Sequence, residues 1–418
     1  MKPSGIEWIG DIPDDWEVRR GKYTLDLLMR PIRDNDEIIT CFRDGQVTRR
    51  SNRREDGFTF ADKEIGYQGI LKGDLVIHGM DGFAGAIGIS DSDGKGSPVL
   101  NVCRPKNGSD TRYINYYLRT LALQNVFIAL STGIRERSCD LRWKKIAELL
   151  FTIPPLKTQQ KIADYLDEKC GEIDATISKQ KESIEKLKAY KQSLISETVT
   201  KGLDKSAPLK PSGIDYLGDI PNDWEVKRVK NTGKLIGGSA FPDEYQGVKN
   251  EEIPFIKVKS LAEDPISRNG KDSISESIRS KLNAEKFIIG SVVFAKVGAA
   301  LLLQRFRILE FESCIDNNMM GFIPLVIEPR FFKYVTVLFD FSYFVNPGTV
   351  PSINQEQIGN IKIPFPPLKT QQKIADYLDS KCSQIDKYIT EKQNIIQKLD
   401  AYKKSLIFEC VTGKHYFI

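Results

Sequence analysis

An internal repeat constrains this chain more than any other feature. The segment PPLKTQQKIADYLD occurs at Pro154 to Asp167 and again, without a change, at Pro366 to Asp379. A second pair reads KPSGIEWIGDIPDDWEVRR near the start and KPSGIDYLGDIPNDWEVKR from Lys210. The stretches between these repeats, residues 21–150 (the first insert) and 229–360 (the second insert), share little beyond glycines and short apolar runs. The pattern predicts one frame with two unlike inserts, which suits a target of two halves at a fixed separation.

Length and composition are those of an ordinary soluble protein. With 418 residues, of which 40% are hydrophobic and 28% charged, the chain has enough core for two or three domains. The start, MKPSGIEWIG, lacks a basic flank followed by an apolar run, and no stretch approaches the roughly 20 apolar residues of a membrane span. We therefore expect a cytoplasmic protein without a membrane partner. The net charge of +5 is too small to identify a nucleic-acid ligand by itself.

The sequence offers little for catalysis or metal binding. Seven cysteines are scattered without a C-x-x-C pair, so we expect reduced thiols rather than a disulfide framework or a zinc site. Only two histidines occur: His415 is close to the end, and His78 is interpreted as a structural residue within a strand. The GKGS segment at Gly94 does not match a phosphate-binding P-loop. We therefore expect no catalytic residue, no metal and no cofactor in this chain.

Two long helices are predicted from the repeated segments. From Thr158 to about Val199 apolar residues recur at steps of three and four, and the second copy keeps the same register. The residues expected to pack in this seam are Ile162, Leu166, Ile173, Ile177, Leu187, Ile374, Leu378, Ile385, Ile389 and Leu399. Thr158 and Thr370 are expected as N-caps. Gly202 and Gly413 are expected as stops, which gives helices of about 40 residues and roughly 60 Å.

An apolar seam of this length needs a partner. The simplest partner for each helix is the other copy, packed antiparallel, so that the pair would hold the two inserts at a fixed separation. The alternative is that each helix packs only on its own insert.

The two inserts follow the same order of elements although their sequences differ. A short strand rich in β-branched residues follows a turn glycine at Gly73 (GDLVIH) and at Gly290 (GSVVFA). An amphipathic helix begins near Arg112 in one insert and near Arg330 in the other. We therefore predict a single α+β fold that the chain uses twice.

Basic residues cluster in the inserts, as expected of a protein that binds an acidic polymer. Arginine carries most weight, because its planar fork can contact phosphates or the O6 and N7 atoms of guanine. In the first insert the candidate DNA-binding residues are Arg43, Arg49, Arg50, Arg53, Arg54, Arg135, Arg137, Arg142 and Lys144. In the second insert they are Lys257, Lys259, Arg268, Lys296, Asn346, Thr349, Ser352 and Asn354. For each residue taken singly, a solvated surface group remains the alternative.

Two motifs carry a resemblance to a known family. G-I-x-W-I-G-x-I-P-x-x-W stands at Gly5 to Trp16 with a second copy at Gly213 to Trp224, and P-P-L-x-x-Q-x-x-I-A-x-x-L heads each predicted helix. This frame resembles the specificity subunit of type I restriction-modification systems, over essentially the whole chain. Such subunits are non-catalytic and hold two target-recognition domains apart with two antiparallel helices, and each domain reads one half of a bipartite DNA sequence.

The resemblance implies double-stranded DNA as the ligand and a complex with two methyltransferase subunits, with two restriction subunits as an optional addition. S-adenosylmethionine, ATP and Mg²⁺ would then be bound by those partners. One departure is that the family usually has glutamate before the paired glutamines, where this chain has Thr158 and Thr370. The exchange removes a favourable first-turn charge but leaves the expected caps in place.

The resemblance also divides the chain into four parts. Target-recognition domains are expected at residues 1–150 and 204–362, and long helices at 151–203 and 363–418. One alternative is a coiled-coil scaffold that carries two interaction domains for ligands other than DNA. Another is a self-contained nuclease or methyltransferase. DNA binding separates the first alternative from a specificity subunit, and activity of the isolated chain with Mg²⁺ or a methyl donor would reveal the second.

Overall fold

The chain folds into two compact units, each made of segments that are far apart in sequence. The computed structural model describes residues 1–53, 65–129, 141–341 and 350–415. The first unit consists of Met1–Lys181 with Lys392–Ile418, and the second unit of Glu182–Glu391. Each unit therefore combines one insert with a part of each repeated helical segment.

The first unit is built mainly from short strands. Its strands are Lys2–Pro3, Asp11–Ile12, Glu17–Arg20, Leu25–Leu27, Ile39–Cys41, Val47–Arg49, Gln68–Ile70, Leu75–His78, Ile87–Ile89, Gly94–Gly96, Leu100–Pro105 and Leu150–Ile153. Its α-helices outside the repeated segments are Gly21–Thr24, Thr111–Leu123, Val126–Ala129 and Trp143–Ile146, and its 3-10 turns are Arg50–Asn52 and Gly82–Ala84.

The second unit has the same character. Its strands are Leu209–Pro211, Asp219–Pro221, Glu225–Arg228, Gly233–Gly237, Ile253–Ile256, Asp272–Ile274, Val292–Ala295, Arg307–Ile308, Cys314–Ile315, Met319–Pro324 and Lys362–Phe365. Its α-helices outside the repeated segments are Glu276–Lys281, Ala299–Leu302, Pro329–Val335 and Gln355–Asn360. Its 3-10 turns are Val229–Asn231, Asp243–Tyr245, Val258–Ala262 and Thr336–Leu338.

Both inserts are organised around a four-stranded antiparallel sheet with one topology. In the first insert the strand order is Leu25–Leu27, Leu100–Pro105, Leu75–His78, Ile87–Ile89. In the second it is Gly233–Gly237, Met319–Pro324, Val292–Ala295, Arg307–Ile308. The strands predicted after Gly73 and Gly290 occupy equivalent places in these sheets. The prediction of one α+β fold used twice is therefore confirmed.

The repeated segments form two long helices, Leu156–Lys201 (the first long helix) and Leu368–Val411 (the second long helix). At 1.5 Å per residue they are about 70 and 65 Å long. The predicted N-caps were wrong: both helices begin earlier, and the N–H of Thr158 already donates to the carbonyl of Pro155 at 2.8 Å within the first turn. Within the described ranges, no helix is both long and apolar enough to cross a bilayer.

A buried glutamine in the first turn fastens each long helix to its insert. Gln159 Nε2 donates to the carbonyl of Pro154 at 2.8 Å, and its Oε1 accepts the N–H of Asp110 at 2.9 Å. Gln371 makes the same two bonds at 2.8 and 2.9 Å in the second unit. Asp110 is itself the N-cap of helix Thr111–Leu123, so the glutamine ties the starts of two helices together.

We expect the Gln159→Leu substitution to lower the free energy of unfolding by about 2–4 kcal/mol. Leucine would leave a buried N–H and a buried carbonyl without partners, and each such loss costs about 1–3 kcal/mol. Denaturant titration of the full-length chain measures the effect. The matched control is Gln160→Leu at the neighbouring exposed position, which should change stability by no more than about 0.5 kcal/mol. Equal losses in the two variants would contradict this assignment.

The tryptophan of each repeated motif packs against the C-terminal end of a long helix. Gly202 ends the first long helix with φ +77°, and a Cβ there would lie 3.1 Å from the Trp224 ring. Gly413 follows the second long helix with φ +73°, and a Cβ there would lie 2.3 Å from Cδ of Pro13 and 3.4 Å from the ring of Trp16, two residues of the same motif. Both tryptophans are buried. The glycine stops, predicted from sequence, thus also provide the space into which the motif tryptophan packs.

The two long helices run antiparallel within each unit. In the first unit Lys403 Nζ lies 2.6 Å from Asp174 Oδ2. In the second unit the repeat equivalents, Lys191 and Asp386, make the same pair at 2.6 Å. A late residue of one helix thus faces an early residue of the other in both units. Because these pairs are partly exposed to solvent, they contribute to register more than to stability.

The predicted seam is most deeply buried where the long helices meet the inserts. Buried seam residues are Ile162, Leu166, Ile173, Ile177, Ile374, Leu378 and Ile385. Partly exposed seam residues are Leu187, Ile389 and Leu399. In the first unit Ile162 and Leu166 share one core with Leu406 and Val411 of the second long helix and with residues of the first insert. The helices therefore pack antiparallel on each other as well as on the inserts, so the alternative that each helix packs only on its own insert is wrong.

A repeated polar contact fixes the angle between insert and long helix. Arg112 Nη1 lies 2.8 Å from Asp167 Oδ2, and the hydroxyl of Tyr116 donates to Asp167 Oδ1 at 2.8 Å. Burial, together with this hydrogen bond, raises the pKa of Tyr116 above its ordinary value. In the second unit Arg330 and Tyr334 reach the equivalent carboxylate at 2.9 and 2.6 Å. Each long helix is therefore bound to its insert by equivalent atoms in the two units.

Candidate nucleic-acid interface

The predicted DNA-binding residues of the first insert fall at two places. Arg54, Arg135, Arg137, Asn346 and Thr349, from both inserts, lie outside the described residues. Most of the others in the first insert belong to a hairpin formed by strands Ile39–Cys41 and Val47–Arg49 and the turn that follows it. The rest lie at helix Trp143–Ile146. The hairpin is the place where several arginines surround one concave surface.

This surface, which we call the basic cleft, encloses 530 Å³. Its polar lining consists of Thr40, Arg43, Asp44, Arg50, Arg53, His78, Asp81 and Ser97, and Phe42 supplies an aromatic face. The lining comes from the hairpin, from the end of a central strand and from the turn beyond it. A cleft of this size, with a few convergent polar groups around an aromatic ring, is typical of a binding site.

Arg43 and Arg50 present their guanidinium groups at the rim of the basic cleft. Arg43 Nη2 lies 2.9 Å from Asp81 Oδ1, and its side chain is 67% exposed. Arg50 Nε donates to Thr40 Oγ1 at 3.3 Å. Exposed ion pairs are worth less than about 1 kcal/mol. Arg43 can therefore exchange its carboxylate partner for a phosphate or a base edge at little cost.

Arg53 is held more firmly over the aromatic face. Its Nη2 lies 2.7 Å from Asp44 Oδ2, and its guanidinium carbon lies 4.2 Å from the centre of the Phe42 ring. Burial acts to raise the pKa of Asp44, but hydrogen bonds from Arg53 and from the N–H of Gln46 outweigh it and hold that pKa below its ordinary value. Asp44 is therefore ionised at neutral pH and keeps the arginine fork oriented before any ligand arrives.

The other described candidates of the first insert do not line the basic cleft. Arg49 Nη1 lies 2.9 Å from Glu37 Oε1. Arg142 stands at the N-terminus of helix Trp143–Ile146, and Lys144 is exposed on that helix. These residues remain predictions for contacts with DNA.

In the second insert one group of candidates surrounds an aromatic ring. Lys257 Nζ lies 2.6 Å from Asp272 Oδ2 and 4.9 Å from the centre of the Phe241 ring. Lys259 is exposed on the following 3-10 turn, and Arg268 donates to a backbone carbonyl at 3.2 Å. A lysine over a ring beside a carboxylate repeats the chemistry of Arg53, on a part of the fold with a different sequence.

A second group is gathered by a β-bridge between Val297 and Ser352. The bridge brings Lys296 and Ser352 together from segments that are distant in sequence. Asn354 is close by, but its side-chain oxygen accepts the N–H of Gln357 at 2.9 Å and caps the helix that follows. This capping role accounts for Asn354 without any ligand.

The acidic and aromatic part of the basic cleft was not predicted from the sequence. Phe42, Asp44 and Asp81 were not singled out, and His78 was interpreted as structural, yet all four line the cleft. One signal was available, because His78 is one of only two histidines and ends a strand that the second insert ends with alanine.

Two further features of the described residues concern metal sites and the reactivity of a thiol. Among them, no group of three or more His, Cys, Asp or Glu side chains is arranged to hold a metal ion. Burial raises the pKa of Cys41, which lines the basic cleft, to about 12. Its thiolate is therefore scarce at neutral pH, which makes this cysteine a poor nucleophile.

Comparison with known proteins identifies one family. The family model described as the type I restriction modification DNA specificity domain matches residues 52–188 and 221–401, once in each half of the chain and over most of its length.

Individual relatives match over most of this chain. A Methanocaldococcus jannaschii protein with the provisional name MjaX specificity subunit of a type I restriction enzyme is 24% identical, over 97% of this chain and 95% of its own. The MjaIX specificity subunit of the same organism is 26% identical, over 74% of this chain and 70% of its own.

Solved structures show the same fold at low identity. A chain from a structure on complex assembly and conformational transition of the type I R-M system has a TM-score of 0.76 at 14% identity, covering 97% of this chain and 100% of its own. The HsdS subunit from Thermoanaerobacter tengcongensis has a TM-score of 0.53 at 16% identity, covering 97% of this chain and 98% of its own.

Proposed function

We propose that this chain, which belongs to the type I restriction-modification DNA specificity family, reads a bipartite DNA sequence with one insert for each half. Its target-recognition domains are residues 1–150 and 204–362, joined by long helices at 151–203 and 363–418. The chain is the non-catalytic recognition subunit, and the chemistry takes place on its partners.

One observation carries this proposal: the frame is the same in both units, whereas the exposed chemistry of the inserts differs. The contacts of Gln159 and Arg112 with their surroundings recur with equivalent residues in the second unit. The basic cleft has arginines around Phe42, while the second insert has Lys257 beside Phe241. A repeated frame with unlike surfaces suits a target whose halves differ in sequence.

The same repeat supports the proposed partners. Two frames of one construction provide two equivalent surfaces, which suits two copies of a methyltransferase subunit, with two restriction subunits in systems that also cleave. S-adenosylmethionine, ATP and Mg²⁺ are proposed to bind these partners. The assembly would work in the cytoplasm, where the DNA is accessible.

Replacement of Arg50 and Arg53 by alanine should weaken DNA binding by the assembled complex. Each lost phosphate contact lowers the slope of log K against log salt by about one, and each lost base contact costs about 1–3 kcal/mol. Titration of labelled DNA that carries the recognised motif, at several salt concentrations, measures both quantities.

The matched control is Arg20→Ala with Arg33→Ala, which removes the same charge from two exposed arginines in the same unit outside the basic cleft. Equal affinity and slope for wild type and the Arg50/Arg53 variant would exclude the basic cleft as a DNA contact. A wild-type complex that does not bind DNA at all would favour the scaffold alternative.

A further inference from the structure

The ring orientation of His78 is set by the backbone. His78 ends the central strand Leu75–His78, and its Nδ1 accepts the N–H of Met80 at 3.2 Å and the N–H of Asp81 at 2.9 Å. A backbone N–H can only donate, so Nδ1 carries no proton and Nε2 carries it. Burial of the ring is the main reason that the pKa of His78 lies below its ordinary value. The charge of Asp81 acts to raise this pKa, and the charge of Arg43 acts to lower it. His78 is therefore neutral with a fixed tautomer.

Within the described part of the chain, the proton on Nε2 of His78 forms no hydrogen bond. The ring lines the basic cleft, and its other nitrogen, Nδ1, is already used by the turn. Arg43 and Arg53, on the same cleft, are engaged by Asp81 and Asp44. His78 thus offers the cleft an uncharged donor in a direction that the fold has already fixed.

The equivalent position in the second insert carries different chemistry. Strand Val292–Ala295 ends in Ala295. The next residue donates its N–H to the carbonyl of Asn318 at 2.9 Å, as Gly79 donates to the carbonyl of Val99 at 2.8 Å in the first insert. The backbone hydrogen bonds at the end of this strand are therefore the same in both inserts. The histidine side chain, with its Nε2–H donor, is present only in the first insert. In the second insert the N–H of Gly298, three residues after Ala295, donates to the carbonyl of Pro351 at 2.7 Å, so the backbone satisfies the turn there and no side chain replaces the histidine donor.

We propose that His78 is a specificity-determining residue of the first insert, whose Nε2–H donates a hydrogen bond to a purine acceptor, N7 or O6, in the major groove of one half-site. This rests on the proposed function. A neutral donor selects among bases without adding charge, because purines and thymine present acceptors in the major groove, whereas cytosine presents only the N4 donor. The flanking arginines bind phosphate or guanine, and His78 adds discrimination at one further position.

Two substitutions separate this role from support of the turn. In His78→Asn the side-chain oxygen can take the place of Nδ1 and keep the turn bonds, but no donor reaches the position of Nε2. In His78→Gln the amide nitrogen can take the place of Nε2, but the acceptor for Met80 and Asp81 is lost. Each variant is expressed together with the methyltransferase subunits in cells of the source organism from which the wild-type gene has been deleted. Modified sites are then mapped by methylome sequencing.

We expect His78→Asn to accept additional bases at one position of one half-site, with discrimination there reduced about fivefold to tenfold, the value of one hydrogen bond. His78→Gln should keep the wild-type preference, and the other half-site should be unchanged in both variants. Thermal unfolding should show that the Asn variant is as stable as wild type.

Unchanged motifs in the Asn variant would overturn the inference. A stable Asn variant combined with a Gln variant that is unstable and has relaxed base specificity would overturn it as well, since that pattern marks a structural histidine. Loss of stability with loss of both half-sites in the Asn variant would overturn it too. If wild-type cells show no bipartite modified motif, the proposed function fails instead, before His78 is tested.

Discussion

Insertion of two residues after Lys181 in the first long helix should abolish methylation by the assembled complex. Two residues turn all that follows by about 200° around the helix axis. Ile184, Ile195 and Val199 are buried beyond that point and would be turned away from their partners. Exposing one such side chain costs about 1.5–3 kcal/mol, so the packing cannot survive. Methylome sequencing of cells that carry only this variant should find no modified motif.

Insertion of four residues should instead preserve activity and change the spacing between half-sites. Four residues lengthen a helix by about 6 Å, close to two base pairs of DNA, and turn it by only about 40°. The insertion is made after Lys181 and also after Gln393, its repeat equivalent, so that both helices lengthen together. Gln180 and Lys392, which are also repeat equivalents, are in contact at 3.1 Å and mark this as a polar point of the seam.

The expected result is a spacer longer by one or two base pairs with both half-site sequences intact. An active four-residue variant with the wild-type spacer would show that the spacing is set elsewhere, for example by the methyltransferase subunits. Activity of the two-residue variant would contradict the packing of the seam.

Exchange of residues 21–150 for the insert of a related chain should replace one half of the methylated motif and leave the other half unchanged. The insert begins and ends beside a pair of antiparallel strands, Glu17–Arg20 and Leu150–Ile153, so the chain enters and leaves it at one place. The donor insert must supply residues equivalent to Arg112 and Tyr116, because these contact the retained long helix. Methylome sequencing identifies both halves in one experiment.

The reciprocal exchange of residues 229–360 is the control, since it should alter the other half alone. Its junction is the equivalent strand pair, Glu225–Arg228 with Lys362–Phe365. A donor insert with alanine at the Arg112 position tests docking separately, because it should reduce assembly without changing the motif of the complexes that form. Simultaneous change of both halves in either exchange would mean that the recognition surface is shared.

Local features were predictable from the sequence, apart from those that depend on cap geometry. The strands after Gly73 and Gly290 and the stops at Gly202 and Gly413 follow from residue preferences that act over a few positions. Thr158 failed as an N-cap because Pro155 supplies the carbonyl of the first turn and the buried Gln159 reaches back to Pro154. A threonine near a helix start looks the same in sequence whether it caps the helix or lies within it.

The sequence by itself determined that there is one frame used twice and that its helices carry an apolar seam, because repetition and periodicity are properties of neighbouring residues. Tertiary structure alone decided which segments form a unit, since Met1–Lys181 is completed by Lys392–Ile418 from the other end of the chain. It alone also assembled the basic cleft, where Arg43 and His78 come from a hairpin and from the end of a sheet strand. Their proximity depends on how distant segments pack. Side chains that meet only through such packing have no characteristic spacing in the sequence by which the site could be predicted.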